Sequence, residues 1–145
     1  MADKPDPKQA EQQQRMQQTY MELQMLDQQM KQVQKQVEAI ERQAAELDEV
    51  QQALDALGTS KQGSDMWVPI TSGIFLKAKL EDNKSLAVNV GSGTVVKKDI
   101  PSTKAMLAAQ ATDMRNFQTE LVEQFEKMAE RAAALQGELQ EIVGA

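Results

Sequence analysis

Residues 16–54, MQQTYMELQMLDQQMKQVQKQVEAIERQAAELDEVQQAL, decide the fold. Positions taken alternately three and four apart from Met16 are Met16, Thr19, Leu23, Leu26, Met30, Val33, Val37, Ile40, Ala44, Leu47, Gln51 and Leu54. Only Thr19 and Gln51 depart from apolar, so the seam holds for about five and a half heptads. A repeat of that length places an apolar stripe along one side of a continuous helix, and a second helix must cover it. The helix is predicted over 10–58, stopped by Gly58 and the polar linker 59–65. Residues 1–9, with Pro5 and Pro7, read as a mobile leader.

The period changes after Met66. Val68, Ile70, Ile74, Leu76, Ala78, Leu80, Leu86, Val88 and Val90 all fall on even numbers, and Lys77, Lys79, Glu81 and Asn89 stand between them. A period of two with β-branched residues predicts half-buried strands, near 66–71, 73–81, 85–91 and 94–98. Asp82-Asn83-Lys84-Ser85 and Gly91-Ser92-Gly93 supply turns. The segment 66–100 therefore reads as two β-hairpins, with Pro69 placing its strand at an edge or near its own end.

Pro101-Ser102-Thr103 opens a second helix over 101–143, with Asp99 or Ser102 as its cap. Its apolar positions run Leu107, Ala111, Met114, Phe117, Leu121, Phe125, Met128, Ala132, Leu135, Leu139 and Ile142. Two steps of four, Phe117 to Leu121 to Phe125, predict a stutter that relaxes the supercoil near Leu121. Two long helices separated by a turn-forming segment bury both seams by folding back on each other. The expected fold is α+β, mostly α: one domain made of an antiparallel two-helix coiled coil with two central β-hairpins.

Composition narrows the chemistry. Cys and His are absent, which removes the usual residues of nucleophilic and zinc mechanisms. Gly91-Ser92-Gly93 ahead of Lys97-Lys98 is a poor phosphate loop, because the motif needs Gly-Lys-Ser/Thr leading into a helix and a strand follows here. Glu41, Asp48 and Asp55 occupy e positions, where solvation or an inter-helix ion pair is the expected role. The reading is therefore not an enzyme, with no metal and no cofactor. A net charge of −6 lacks the basic patch that nucleic acid requires. With neither a secretory signal nor an apolar stretch of about 20 residues, a cytoplasmic protein without a membrane partner is expected.

Two surfaces carry functional content. Outward apolar residues (Tyr20 at e, Met21 at f, Met25 at c) gather in the early turns of the first helix, and the second helix brings Leu139, Ile142 and Val143 to the same end. Apolar groups at such a tip are costly unless something binds there, and methionine suits varied apolar partners. The second surface is the hairpins' even-numbered face. Two hairpins with one apolar face are barely stable alone, so pairing with other chains is expected to bury that face and cap the strand edges.

The order long helix, two β-hairpins, long helix resembles the α class of prefoldin subunits. Trp67-Val68-Pro69-Ile70, Gly73-Ile74-Phe75-Leu76-Lys77-Ala78 and Val88-Asn89-Val90-Gly91-Ser92-Gly93-Thr94-Val95-Val96 carry the specific part of the likeness. The resemblance implies a hexamer of two α-type and four β-type subunits, in which the hairpins build an oligomeric β-barrel and coiled-coil arms hang from it. It also implies an ATP-independent holdase, whose distal tips capture unfolded proteins and pass them to a group II chaperonin. Val68, Ile70, Ile74, Leu76, Leu80, Leu86, Val88 and Val90 become the oligomerisation candidates. Met16, Tyr20, Met21, Met25, Leu139, Ile142 and Val143 become the client-binding candidates. The rival reading is a structural coiled-coil scaffold or filament-forming subunit that binds no client.

Overall fold

The structure, a computed structural model, describes residues 6–144. Its elements in chain order are helix α1 (Pro7–Thr59), strands β1 (Asp65–Thr71), β2 (Ile74–Lys79), β3 (Leu86–Gly91) and β4 (Thr94–Lys98), and helix α2 (Ile100–Gly144). They divide into two compact units, Met1–Glu41 with Arg115–Ala145, and Arg42–Met114.

Helix α1 starts earlier than its sequence predicts. Asp6 caps it: the Asp6 side chain accepts the Lys8 amide at 3.3 Å and its carbonyl accepts the Ala10 amide at 3.0 Å. Pro7 then takes the first helical position, where its missing N–H costs nothing and its fixed φ is already helical. Residues 7–9 thus belong to the helix and not to a leader; 1–5 lie outside the described residues.

In the first unit the two helices run antiparallel, with partner numbers falling on one as they rise on the other. Arg131 meets Glu22, with both its Nε and its Nη2 3.1 Å from the same carboxylate oxygen, and the Gln118 amide donates to Glu41 at 3.3 Å. Val33, Ile40, Leu121 and Leu135 are buried between the helices together with Thr19, and Leu135 is only 1% exposed. Burying a leucine so fully stabilises by about 2 kcal/mol. Along α1 every position of the predicted seam is at least half-buried.

Along α2 the seam differs from the prediction at one residue. Phe117 is 51% exposed, and Gln118 takes the inward position beside it. With Gln118 included, the inward positions Leu107, Ala111, Met114, Gln118, Leu121, Phe125, Met128, Ala132, Leu135, Leu139 and Ile142 alternate strictly in fours and threes. The heptad is continuous and has no stutter at Leu121. An unbroken register keeps the neighbouring rows in phase, so a glutamine that meets Glu41 is accommodated at a seam position at some cost in stability.

In the second unit, α1 and α2 meet through Leu54 and Leu107, and Lys104 pairs with Asp55. Gly58 sits beside Ile100, whose Cδ1 lies 3.8 Å from where a Cβ would stand. The end of α1 is closed by a residue from far along the chain. The Asn83 side-chain amide donates to the carbonyls of Leu57 at 3.1 Å and Gly58 at 3.3 Å, which satisfies acceptors that the last helical turn leaves free. Gly58 is therefore a packing residue rather than the cap.

Each hairpin is a separate two-stranded antiparallel sheet. In the first, Val68 faces Leu76, Trp67 faces Lys77 and Pro69 faces Phe75, with an irregularity between Pro69 and Thr71. Strand β2 begins after the Ser72-Gly73 turn and ends at Lys79; Leu80 instead exchanges backbone hydrogen bonds with the linker at Gly63 (2.7 Å) and Ser64 (2.9 Å). In the second, Val88 faces Val96 and Leu86 faces Lys98. Its turn residues Ser92 and Gly93 both have positive φ, 51° and 74°. That is the pattern of a type I′ turn, whose twist matches the strands it joins.

Asp99 caps α2, accepting the Ser102 amide at 2.7 Å, while its carbonyl accepts the Thr103 amide and hydroxyl. The hydrogen bonds from Ser102 hold the Asp99 carboxyl below the usual carboxylate range. A lowered value means that this contribution is complete above the ordinary carboxylate pKa and is lost as pH falls through the lowered one. The protection factor of the Ser102 amide is accordingly expected to fall in Asp99→Ala, and in the unmodified chain only on strong acidification; protection unchanged in Asp99→Ala would contradict the cap. For the seam, Leu121→Ala is expected to cost about 3 kcal/mol by urea unfolding. Phe117→Ser should cost under about 1 kcal/mol, as an exposed site does. Equal costs would restore Phe117 to the seam.

Candidate assembly and client-binding surfaces

The assembly candidates follow the hairpin register. Cross-strand partners share a face, so Val68 and Leu76 lie together with Met66 and Ala78, and Val88 lies with Val96. Val68, Ile70, Ile74, Leu76 and Val90 are exposed. Leu80, Leu86 and Val88 are half-buried within their own unit. Two strands cannot close over these side chains, and each leaves one row of backbone donors and acceptors without a ladder.

The other face of the first hairpin carries what the even-numbered pattern misses. Trp67 is 68% exposed and Phe75 58% exposed, on neighbouring cross-strand pairs of the same face, and they line a shared shallow concavity. Lys77 stands opposite Trp67, and Asp65 opposite Lys79. Both faces of this hairpin are therefore apolar in part. The signal available in sequence was two aromatics on odd numbers within a run assigned to solvent. In the second hairpin, exposed Val95 lies opposite Asn89 in the same way.

The client-binding candidates lie in the first unit. Met16, Tyr20 and Met21 of α1 line one apolar groove with Leu139 and Val143 of α2, and Gln17 borders it. This groove opens on one side of the seam. Tyr20 links it to a second depression walled by Leu23, Gln24, Asp27, Met30, Ala132 and Gln136. Ile142 shares a more polar cleft with Gln9, Gln12, Gln13, Met16 and Val143. Met25 is exposed and lines none of these depressions, although it lies one turn from Met21 on α1.

Neither surface holds catalytic geometry. Among the described residues no cluster of acidic side chains is arranged to hold a metal ion, and no buried polar side-chain atom lacks a partner. No described helix is long and apolar enough to cross a membrane. What the surfaces offer is exposed apolar area.

Comparison with known proteins gives this geometry its relatives. A family model described as Prefoldin subunit matches residues 26–145. The chain is 26% identical to Prefoldin subunit alpha of Methanobrevibacter smithii over 130 residues, which span 90% of this chain and 88% of that protein. It is 28% identical to Prefoldin subunit alpha of Methanococcus aeolicus over the same shares of both. Among solved structures, a chain in the cryo-EM structure of filamentous PFD from Methanocaldococcus jannaschii superposes with a TM-score of 0.76 at 16% identity. That superposition covers 82% of this chain and 98% of the other.

Leu76→Asp is expected to place a charge in the surface that other chains cover, at a cost of several kcal/mol. Light scattering should then report smaller species while helical circular dichroism is unchanged. An unaltered size would remove this face from the assembly surface.

Proposed function

The chain belongs to the prefoldin family, as an archaeal-type α subunit, and from that premise we propose that it is a subunit of an ATP-independent holdase. Prefoldin is a chaperone family whose subunits form oligomeric complexes. In the proposed reading the hairpins pair with β-type subunits to close an oligomeric barrel, two α with four β. The helices carry unfolded clients at their ends and hand them to a group II chaperonin in the cytoplasm. No chemical step is required of the chain, and none of its side chains is assigned one.

The observation that carries the proposal is the apolar groove at the end of the seam. Met21 and Val143 remain exposed there, Val143 at 70%. Exposed methionine and valine beside a concave apolar floor are costly in a soluble chain and useful to one that holds unfolded segments. The hairpin faces support the assembly half of the reading in the same way: they are apolar, and their own unit leaves them open.

A filament-forming scaffold is the second reading, favoured by the structural likeness to the filamentous assembly. The two separate on one experiment. Met21→Ser combined with Val143→Ser is expected to lower suppression of aggregation of a denatured test protein severalfold, with the assembly's size unchanged. Met25→Ser alone should do less, since Met25 lies off the groove. Suppression that survives the double substitution would leave the scaffold reading standing and the holdase reading without its site.

A further inference from the structure

No charged side chain lines the groove, and the depression linked to it holds one, Asp27. On α1 every b, e and f position over 10–24 is Ala, Gln, Tyr or Met, and on α2 every such position over 133–144 is Ala, Gln, Gly or Val. Asp27 is the first charged side chain met along that side of α1, where Lys31 binds it at 3.1 Å, and Glu130, at an f position, is the first on α2. The charges of this region stand on the c and g positions across the seam: Glu11, Arg15, Glu22, Arg131, Glu138 and Glu141. There Arg131 closes the side with its 3.1 Å ion pair to Glu22. One side of the seam is amide and apolar, and the other is ionic.

We propose that clients are gripped from the amide side alone, as extended, uncharged segments of about six residues. This rests on the holdase reading and specifies its substrate. From Met16 to Met30 the two linked depressions rise about 21 Å along α1, which is the length of about six residues of extended chain. Met16, Met21, Leu139 and Val143 take the apolar side chains of such a segment. The glutamines at the rim, Gln17, Gln24 and Gln136, and Gln140 at the next b position of α2, each hold both donors and an acceptor, and can pair with an unfolded backbone whatever its sequence. A charged client side chain entering this side would lose water and meet no counter-charge. The site is complementary to neutral segments.

Fluorescence anisotropy with three labelled peptides tests this on the assembled full-length protein. The peptides share one apolar hexapeptide and carry Gln, Lys or Glu on both flanks. The Gln-flanked peptide is expected to bind at least as tightly as the others, with less than about a twofold change in affinity between low and high salt. Gln17→Glu with Gln140→Glu should turn the preference toward the Lys-flanked peptide by about fivefold, the scale of an exposed ion pair, and make it salt-sensitive. Glu138→Gln with Glu141→Gln, across the seam, should change nothing. A wild-type preference for either charged peptide, or a response to the second pair of substitutions in place of the first, overturns the proposal. Met21→Ser with Val143→Ser separates the two readings. Loss of all three peptides in that variant keeps the holdase site whatever the charge preference shows, and undiminished binding removes that site and this proposal together.

Discussion

Two strands cannot bury a sheet face, and among the described residues the strands form only two-stranded sheets. Everything else follows from that deficit. The hairpins share the second unit with the neighbouring ends of α1 and α2, whose Leu54 and Leu107 are buried while most of the hairpin apolar residues stay open. Val68, Leu76, Trp67 and Phe75 therefore remain open on the two faces of one small sheet. A protein built in this way is stable in its helices and incomplete in its strands. In the proposed reading other chains complete them.

The helices solve a different problem. A continuous heptad on both partners spreads apolar burial along the helices within each unit, with Leu135 and Leu121 among the buried points. Because the cover is local, the last turns tolerate apolar residues off the seam. The ion pair of Glu22 with Arg131 sits on one side and the open groove on the other, so the same two helices carry a closed side and, in the proposed reading, a binding side. Exposed ion pairs of this kind contribute roughly 1 kcal/mol at most, and their larger effect here is to decide which side is polar.

Much of this was legible in the residues. The seam of α1 reads directly from Met16 to Leu54, since an apolar three-four repeat sustained over that length is the pattern of a coiled coil. The two hairpins and their turns read from the change of period and from Gly91-Ser92-Gly93. Phe117 misled, because ranking by hydrophobicity prefers a phenylalanine to the glutamine beside it, whereas an unbroken register prefers Gln118. Asn83 was legible only as a turn residue; its role as the cap of α1 depends on a contact spanning 25 residues or more, which no local pattern encodes. The aromatic face of Trp67 and Phe75 was hidden by the neater alternation on even numbers.

Completion of the hairpins by other chains is tested most directly by hydrogen exchange resolved to single amides, on the chain alone and after mixing with a β-type prefoldin subunit. Amides of β1 to β4 without a ladder partner within their hairpin are expected to become protected on mixing, while amides of the seam in α1 and α2 keep the rates they had. Strand amides that exchange equally fast in both samples would contradict it.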